Sequence, residues 1–357
     1  MIALAAAATA AAGPAGPAAS TPAVLLGGVL LVALIFYALF GGADYGGGIW
    51  DLLASGKLKR EQREAIEHAI GPIWEANHVW LVLVVVVLFT GFPAAFSAIA
   101  SGLFVPLVLL LIGIVLRGAA FTFRTYDDRG DAMQRRWGRA FSMSSVLAPL
   151  VLGDVVGSIA SGHVEGPASG AWLEPFPLVT GAFTAALFAF LAATYLAVES
   201  EGALREQFRR RGIAAGAVVG ALALAAYLLS ATGAPLVHQG LTEQAWSWPL
   251  HIATAVAAVT AFVALALRAV RLARLAAVAQ VSLIVAGWGV SQYPYLLVGS
   301  ITLASASAPP ETQVLLLYTL AGGAVLLFPS LYLLFRVFKG ESPFAIVDRR
   351  EPRTKRG

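Results

Sequence analysis

The sequence predicts an all-α integral membrane protein of nine transmembrane helices, and three observations carry that reading. Hydrophobic residues fill 59% of the 357 positions and charged residues 12%, against roughly 45–50% and about 25% in soluble domains. Apolar segments of bilayer-crossing length recur along the whole chain. Basic residues fall almost entirely in alternate connections between those segments.

A helix crosses the hydrocarbon with about 20 residues at 1.5 Å each. Segments that meet this requirement lie at 24–53, 74–98, 102–123, 142–161, 177–198, 213–231, 249–268, 276–298 and 313–337. Odd-numbered spans are followed by connections rich in Lys and Arg: Lys57 to Arg63, Arg124 to Arg139, Arg205 to Arg211, Arg268 to Arg274, and Arg336 onward. The remaining connections contain neither residue. The one exception, Arg117, lies within the third span near its inner end, where a long side chain can snorkel. The positive-inside rule then places the N-terminus outside and the C-terminus in the cytoplasm. The formal charge of +4 thereby records topology and implies no nucleic-acid partner.

Residues 1–23, rich in Ala and Pro but lacking a positive n-region, read as a flexible outer tail rather than a cleaved signal. Residues 24–338 form a single membrane domain, and 339–357 a basic cytoplasmic tail. The chain has no cysteine, which excludes disulfides, thiolate zinc sites and thiolate catalysis.

Carboxylates within the apolar segments are costly and need a reason. Asp44 lies in "FGGADYGGGIWDLL", roughly 13 Å from the inner end of the first span at 1.5 Å per residue. Gly41 and Gly48 share its helical face, so a neighbouring backbone can approach closely there. Asp154, in "VLGDVVGSIASG", has a comparable small-residue pair in Gly153 and Gly157. Both aspartates read either as interhelical hydrogen bonds or ion pairs, with Arg117 the only basic partner inside a span, or as functional groups.

The stretch "IGPIWEANHVWL" places Glu75 just inside the second span, with Trp74, Asn77 and His78 beside it at helical spacing. One reading is an interfacial helix start, with Glu75 favoured by the helix dipole and Trp74 and Trp80 as belt residues. The other is a proton-conducting position, since a carboxylate at membrane depth can both take and release a proton. Haem is a poor fit to this sequence. His68, His163 and His238 lie in connections, and His78 and His251 sit near opposite faces, so no two imidazoles converge at one depth as axial ligation requires.

Two elements carry a family resemblance: Gly-x-Asp-x-Gly-x-Gly from Gly42 to Gly48, and Pro-x-Trp-acid-x-Asn-x-x-Trp from Pro72 to Trp80. With supporting stretches such as "LRGAAFTFR" and "YPYLLVGSITLASASAP", the chain resembles subunit II, the smaller principal subunit, of cytochrome bd-type quinol oxidases. The resemblance implies a respiratory terminal oxidase that oxidises quinol and reduces oxygen to water without pumping protons. It implies two four-helix bundles plus a peripheral ninth helix, and a pseudosymmetric heterodimer with a larger subunit that holds the haems and the main quinol site. A small single-helix subunit is a further expected partner, and the bacterial cytoplasmic (inner) membrane, with its lipids and quinol, the expected location.

The acidic residue of the tryptophan element, here Glu75, is the one that the resemblance associates with a cytoplasmic proton route, with Asp44, Trp74, Asn77 and His78 around it. Many relatives have aspartate at the position of Glu75 and a residue other than histidine at that of His78. A secondary transporter using buried carboxylates is the alternative from another class. Nine spans do not divide into two equal inverted halves, which weighs against it.

Overall fold

The computed structural model describes residues 18–70, 74–126, 131–164 and 166–339, with the backbone alone at 70, 74–76, 124–126, 131–132, 335 and 337–339. The outer tail up to residue 17 and the cytoplasmic tail from 340 lie outside the described residues. The chain divides into a large unit ending at Gln313 and a second unit beginning at Val314.

The first helix, α1, spans Thr21–Leu52, about 48 Å at 1.5 Å per residue. Ser20 caps it, its Oγ accepting from the Ala23 amide at 3.3 Å. A short amphipathic helix α2, Lys59–Ile70, follows and lies within the segment expected as a loop. It is anchored by Ile66 and Gln62, at 2% and 0% exposure. The second expected span, 74–98, is broken: α3 runs Trp74–Gly91 and α4 Pro93–Gly102, with 117° between them. Pro93 has no N–H to extend α3 and disfavours helical geometry at the preceding residue. Phe92 accordingly sits at φ −138° and ψ 59°.

Four long helices follow: α5, Phe104–Tyr126; α6, Asp131–Ser161; α7, Pro175–Glu199; and α8, Gly202–Gly233. Each packs against the next, while α1 packs against α3, α6 and α7. Helices α6 and α8 begin about ten residues before their apolar segments, and these added turns carry Arg135, Arg136, Arg205 and Arg209. A short helix α9, Pro235–Thr242, leads to α10, Ser247–Ala266, and α11, Val270–Ser291.

The eighth expected span, 276–298, ends at Ser291 instead. Beyond it an antiparallel pair, β1 Tyr295–Leu297 and β2 Ile301–Thr302, turns the chain. A one-turn helix α12, Leu303–Ala306, completes this outer structure, and the Ala308 amide bonds to the Gly91 carbonyl at the α3–α4 bend at 2.9 Å. The last helix, α13, is Pro310–Lys339, with Pro329 inside it. Among the described residues eight helices are long and apolar enough to cross a membrane, nine if the bent pair is one span.

Glycines let α1 sit deep among its neighbours. A Cβ at Gly46 would overlap the Phe188 carbonyl of α7, and one at Gly48 would overlap the Ser145 side chain of α6. Only glycine lets the backbones come this close.

Candidate functional site

The spacing Asp44, Gly48, Asp51 on α1 places two carboxylates on one helical face with a bare backbone between them. Both are withdrawn from the surface, at 4% and 0% exposure. Opposite them α6 presents Ser145 and Ser142, one turn apart and equally buried. The Ser142 hydroxyl donates to Asp51 Oδ2, and Ser145 fills the space that Gly48 leaves open.

Arg117 enters this face from α5 and is itself buried, at 1% exposure. Its Nη2 lies 2.7 Å from Asp44 Oδ1, and its Nε donates to Ser145 Oγ at 2.9 Å. The guanidinium also stacks between two rings, 4.9 Å from the Tyr45 centroid and 4.8 Å from that of Phe141. A charge in this setting is supported on every side, as a buried arginine must be. Of the two aspartates that could claim Arg117, Asp44 holds it. One oxygen of Asp44 is thereby fixed, while the other, Oδ2, is buried with no hydrogen-bond partner among the described residues.

Beyond Arg117 the cluster continues through aromatic and imidazole groups. The hydroxyls of Tyr37 and Tyr45 are 3.2 Å apart, and the His78 ring lies 6.5 Å and 6.4 Å from the two tyrosine rings. Asn77 is buried beside His78 on α3, and Trp80 stacks on Phe36 of α1 at 4.4 Å. Trp74 and Glu75 form the first turn of α3, and their side chains lie outside the described residues. Gly41 supports the cluster differently, as a Cβ there would meet the Tyr37 ring at 2.9 Å.

At the C-terminal end of α1 a second set of contacts, supplied by α2 and α8, closes over the cluster. Arg63 of α2 reaches Asp51, its Nε 3.6 Å from Oδ1. Gln62 donates to the Ser55 carbonyl at 2.9 Å and to Gln207 at 3.0 Å, and accepts from Arg211 at 2.9 Å. Arg211 also stacks over Trp50, whose indole N–H donates to the Ala189 carbonyl at 2.7 Å.

Asp154, Gly153 and Gly157 stand apart from this site, Asp154 being nine residues along α6 from Ser145, about 13 Å. Cβ atoms at Gly153 and Gly157 would collide with Thr184 and with Pro177 and Thr180 of α7, so both glycines serve helix packing. Neither oxygen of Asp154 has a hydrogen-bond partner among the described residues.

The histidines are dispersed. His163 bonds Glu174 at 2.7 Å, His238 bonds Ser230 at 2.9 Å, and His251 bonds the Leu241 carbonyl at 2.8 Å. This donor set does not fit haem ligation, and among the described residues no group of three or more acidic, histidine or cysteine side chains could hold a metal. Asp51, Ser142, Ser145, Tyr37 and Tyr45 were not singled out in the sequence. The i, i+7 spacing of Asp51 from Asp44 was the one signal available for any of them.

The comparisons with known proteins agree on one family. The family model for cytochrome bd terminal oxidase subunit II matches residues 22–338. Subunit 2 of the cytochrome bd ubiquinol oxidase of Bacillus subtilis (strain 168) is 34% identical over 92 residues, which is 26% of this chain and 27% of the relative. Subunit 2 of the cytochrome bd-I ubiquinol oxidase of Escherichia coli (strain K12) is 26% identical over 158 residues, 42% of this chain and 41% of the relative. These matches span less than half the length of either relative. A putative cytochrome bd menaquinol oxidase subunit II of Bacillus subtilis is 24% identical over 83% of this chain and 89% of its own. The bd oxidase structure from Geobacillus thermodenitrificans shares the fold, with a TM-score of 0.77 at 22% identity over 89% of this chain and 99% of that one. With a family match running from the first helix to the last, the chain belongs to the cytochrome bd terminal oxidase subunit II family.

Proposed function

We propose that this chain is the haem-free subunit of a respiratory quinol oxidase in a bacterial cytoplasmic membrane, where it supports assembly and delivers protons to haems held by a larger partner subunit. The observation that carries the reading is the buried ionisable cluster of Asp44, Arg117, Tyr45 and Tyr37, joined by half-buried His78 from the helix that begins with Trp74 and Glu75. The family and the dispersed histidines support it further.

In this reading the chain has nine spans in two four-helix bundles plus a peripheral helix, with the N-terminus outside and the basic ends of the helices in the cytoplasm. A small single-helix subunit is a further partner. The haems of the partner reduce oxygen with electrons from quinol, and that reduction consumes protons. Glu75 sits at the cytoplasmic start of α3, where its carboxylate takes a proton from the inner surface. Asp44 has one oxygen held by Arg117 and one buried oxygen with no partner among the described residues. That second oxygen is the atom on which a proton can be held and released, and Trp74, Asn77 and His78 are assigned to the same proposed route.

The test is spectroscopic. The affinity-purified chain should bring down a haem-bearing partner and consume oxygen with quinol, whereas the chain expressed alone should insert in the membrane and carry no haem spectrum. A haem spectrum from the lone chain would overturn the division of labour. A colourless preparation active in solute transport would overturn the oxidase reading altogether.

A further inference from the structure

The contact between α1 and α6 forms a polar seam that begins at the basic end of the bundle and ends at Asp44. Its mouth is Arg63, about one-third exposed, against Asp51, whose side chain is 1% exposed. Next comes Ser142, bonded to Asp51 Oδ2 and also to the Gly138 carbonyl at 2.9 Å. One turn further stands Ser145, bonded to Arg117 Nε and to the Phe141 carbonyl at 2.8 Å. Arg117 then holds Asp44. Because α1 and α6 lie face to face here, Ser145 occupies the level of Gly48, midway between the two carboxylates. A side chain at position 48 would fill that level and separate them. Pro149 lies four residues beyond Ser145 and has no N–H to give the Ser145 carbonyl, which adds an acceptor at the midpoint.

We infer that this seam is a second proton entry on this chain, separate from the one at Glu75, with Asp51 as its intake. The inference rests on the proposed role in oxygen reduction, since it needs a consumer of protons. In the step, a proton donor at the inner surface protonates the Asp51 carboxylate. Asp51 then gives that proton to the Ser142 oxygen as the Ser142 hydroxyl releases its own toward Ser145. The hydroxyl of Ser145 relays in the same way toward Asp44. Each hydroxyl gains one proton and loses one, the net movement is one proton, and no electron moves. The gap between Ser142 and Ser145, one helical turn, is of a size that a single water bridges.

Among the described residues the charged and titratable groups facing the seam include Arg63 from α2, Arg117 from α5, Asp44 and Tyr45 from α1, His78 from α3, and Arg211 from α8, which reaches the Leu53 carbonyl at 3.0 Å. The two arginines do not block the route. Each is already committed to one carboxylate oxygen, and the hydroxyls run alongside them.

The experiment uses the complete oxidase complex carrying Asp51→Asn. Quinol-driven oxygen consumption should fall by about half, since Glu75 still admits protons, and by about 100-fold once Glu75→Gln is added, most steeply at high pH where proton donors are scarce, with haem content and the KM for quinol unchanged. Asp51→Glu should retain most of the rate, and Ser142→Ala should give an intermediate loss. Formate or imidazole added to the medium should restore the Asp51→Asn rate, because the intake lies next to the one-third-exposed Arg63. Such rescue is not expected of a merely structural residue.

Full activity of Asp51→Asn at all pH values would overturn the inference. Parallel loss of haem and activity, unrelieved by Asp51→Glu or by small acids, would make Asp51 a latch for α2 and overturn it equally. A wild-type complex without quinol-driven oxygen uptake refutes the proposed function instead, and is read before any variant.

Discussion

Arg117 Nη2 stands 2.7 Å from Asp44 Oδ1, joining α5 to α1 through an ion pair closed to the surface on both sides. Such a pair contributes little net stability over apolar residues, but removing one member leaves the other charge buried and uncompensated, at about 3–5 kcal/mol. Arg117→Leu should therefore lower the thermal midpoint of the purified complex severely. Adding Asp44→Asn to Arg117→Leu should recover part of the loss, because the stranded charge is gone. A double variant less stable than the single one would mean that shape, and not charge, governs this site.

Gly48 and Gly220 should respond oppositely to alanine. At Gly48 the new methyl meets Ser145, which is tied to Arg117, and overpacking of this kind costs about 1–3 kcal/mol. At Gly220 of α8 nothing lies within 4 Å of the added carbon, so Gly220→Ala should be neutral or stabilise by up to about 1 kcal/mol through helix propensity. Melting of the two variants side by side measures the difference.

How much of this was legible follows from what each signal depends on. Most of the long apolar helices were readable from their length, and the exceptional residues within them, Asp44, Asp154 and Arg117, because a charge in an apolar run stands out at any depth. Which aspartate Arg117 would choose was not readable, because that depends on which helices become neighbours. Ser142 and Ser145 were invisible, since a serine in a membrane helix commonly bonds back to its own helix, as both also do here. The bend at Phe92 was signalled by Pro93 and was overridden by the unbroken hydropathy around it. The β1–β2 pair hides in "YPYLLVGSIT", where apolar residues run on without a period that separates strand from helix.

Asp154 makes a contrasting case to Asp44. It is 5% exposed and neither oxygen has a hydrogen-bond partner among the described residues, so the chain bears its desolvation without return. Asp154→Val, close to aspartate in volume, should raise the stability of the complex by about 1–3 kcal/mol and leave oxygen consumption intact. A loss of activity with unchanged stability would instead assign Asp154 a functional partner.

The proposed topology can be read by labelling. Cysteines at Ser169, which caps a short 3-10 turn, and at Ser307 belong to the proposed outer side. A cysteine at Lys57, in the exposed loop after α1, belongs to the inner side. The chain has no native cysteine, so each variant reports alone. Impermeant thiol reagents should label the first two in intact cells and Lys57→Cys only after the membrane is opened; the reverse pattern would invert the topology and move the proton intake outside.

Glu75 supplies the last prediction. It lies on the first turn of α3, whose next turn carries buried Asn77 and half-buried His78, the latter with its ring beside those of Tyr37 and Tyr45. In the proposed role its carboxylate exchanges protons with the inner surface and hands them to a cluster that already contains Asp44. Glu75→Gln keeps the shape and hydrogen-bonding capacity but cannot ionise. It should leave haem content and assembly normal while reducing quinol-driven oxygen consumption by about half, the share its entry carries, and by about 100-fold together with Asp51→Asn, the lower range for a lost acid–base group. Glu75→Asp should retain more activity, because the proton-carrying group survives on a shorter stem. Combined with Asp51→Asn the losses discriminate between designs: two separate entries into one cluster predict that the double variant falls well below either single, whereas one entry in series predicts no further fall. If Glu75→Gln loses haem together with activity, its role is in holding the subunits together, and proton entry is left to the seam that begins at Asp51.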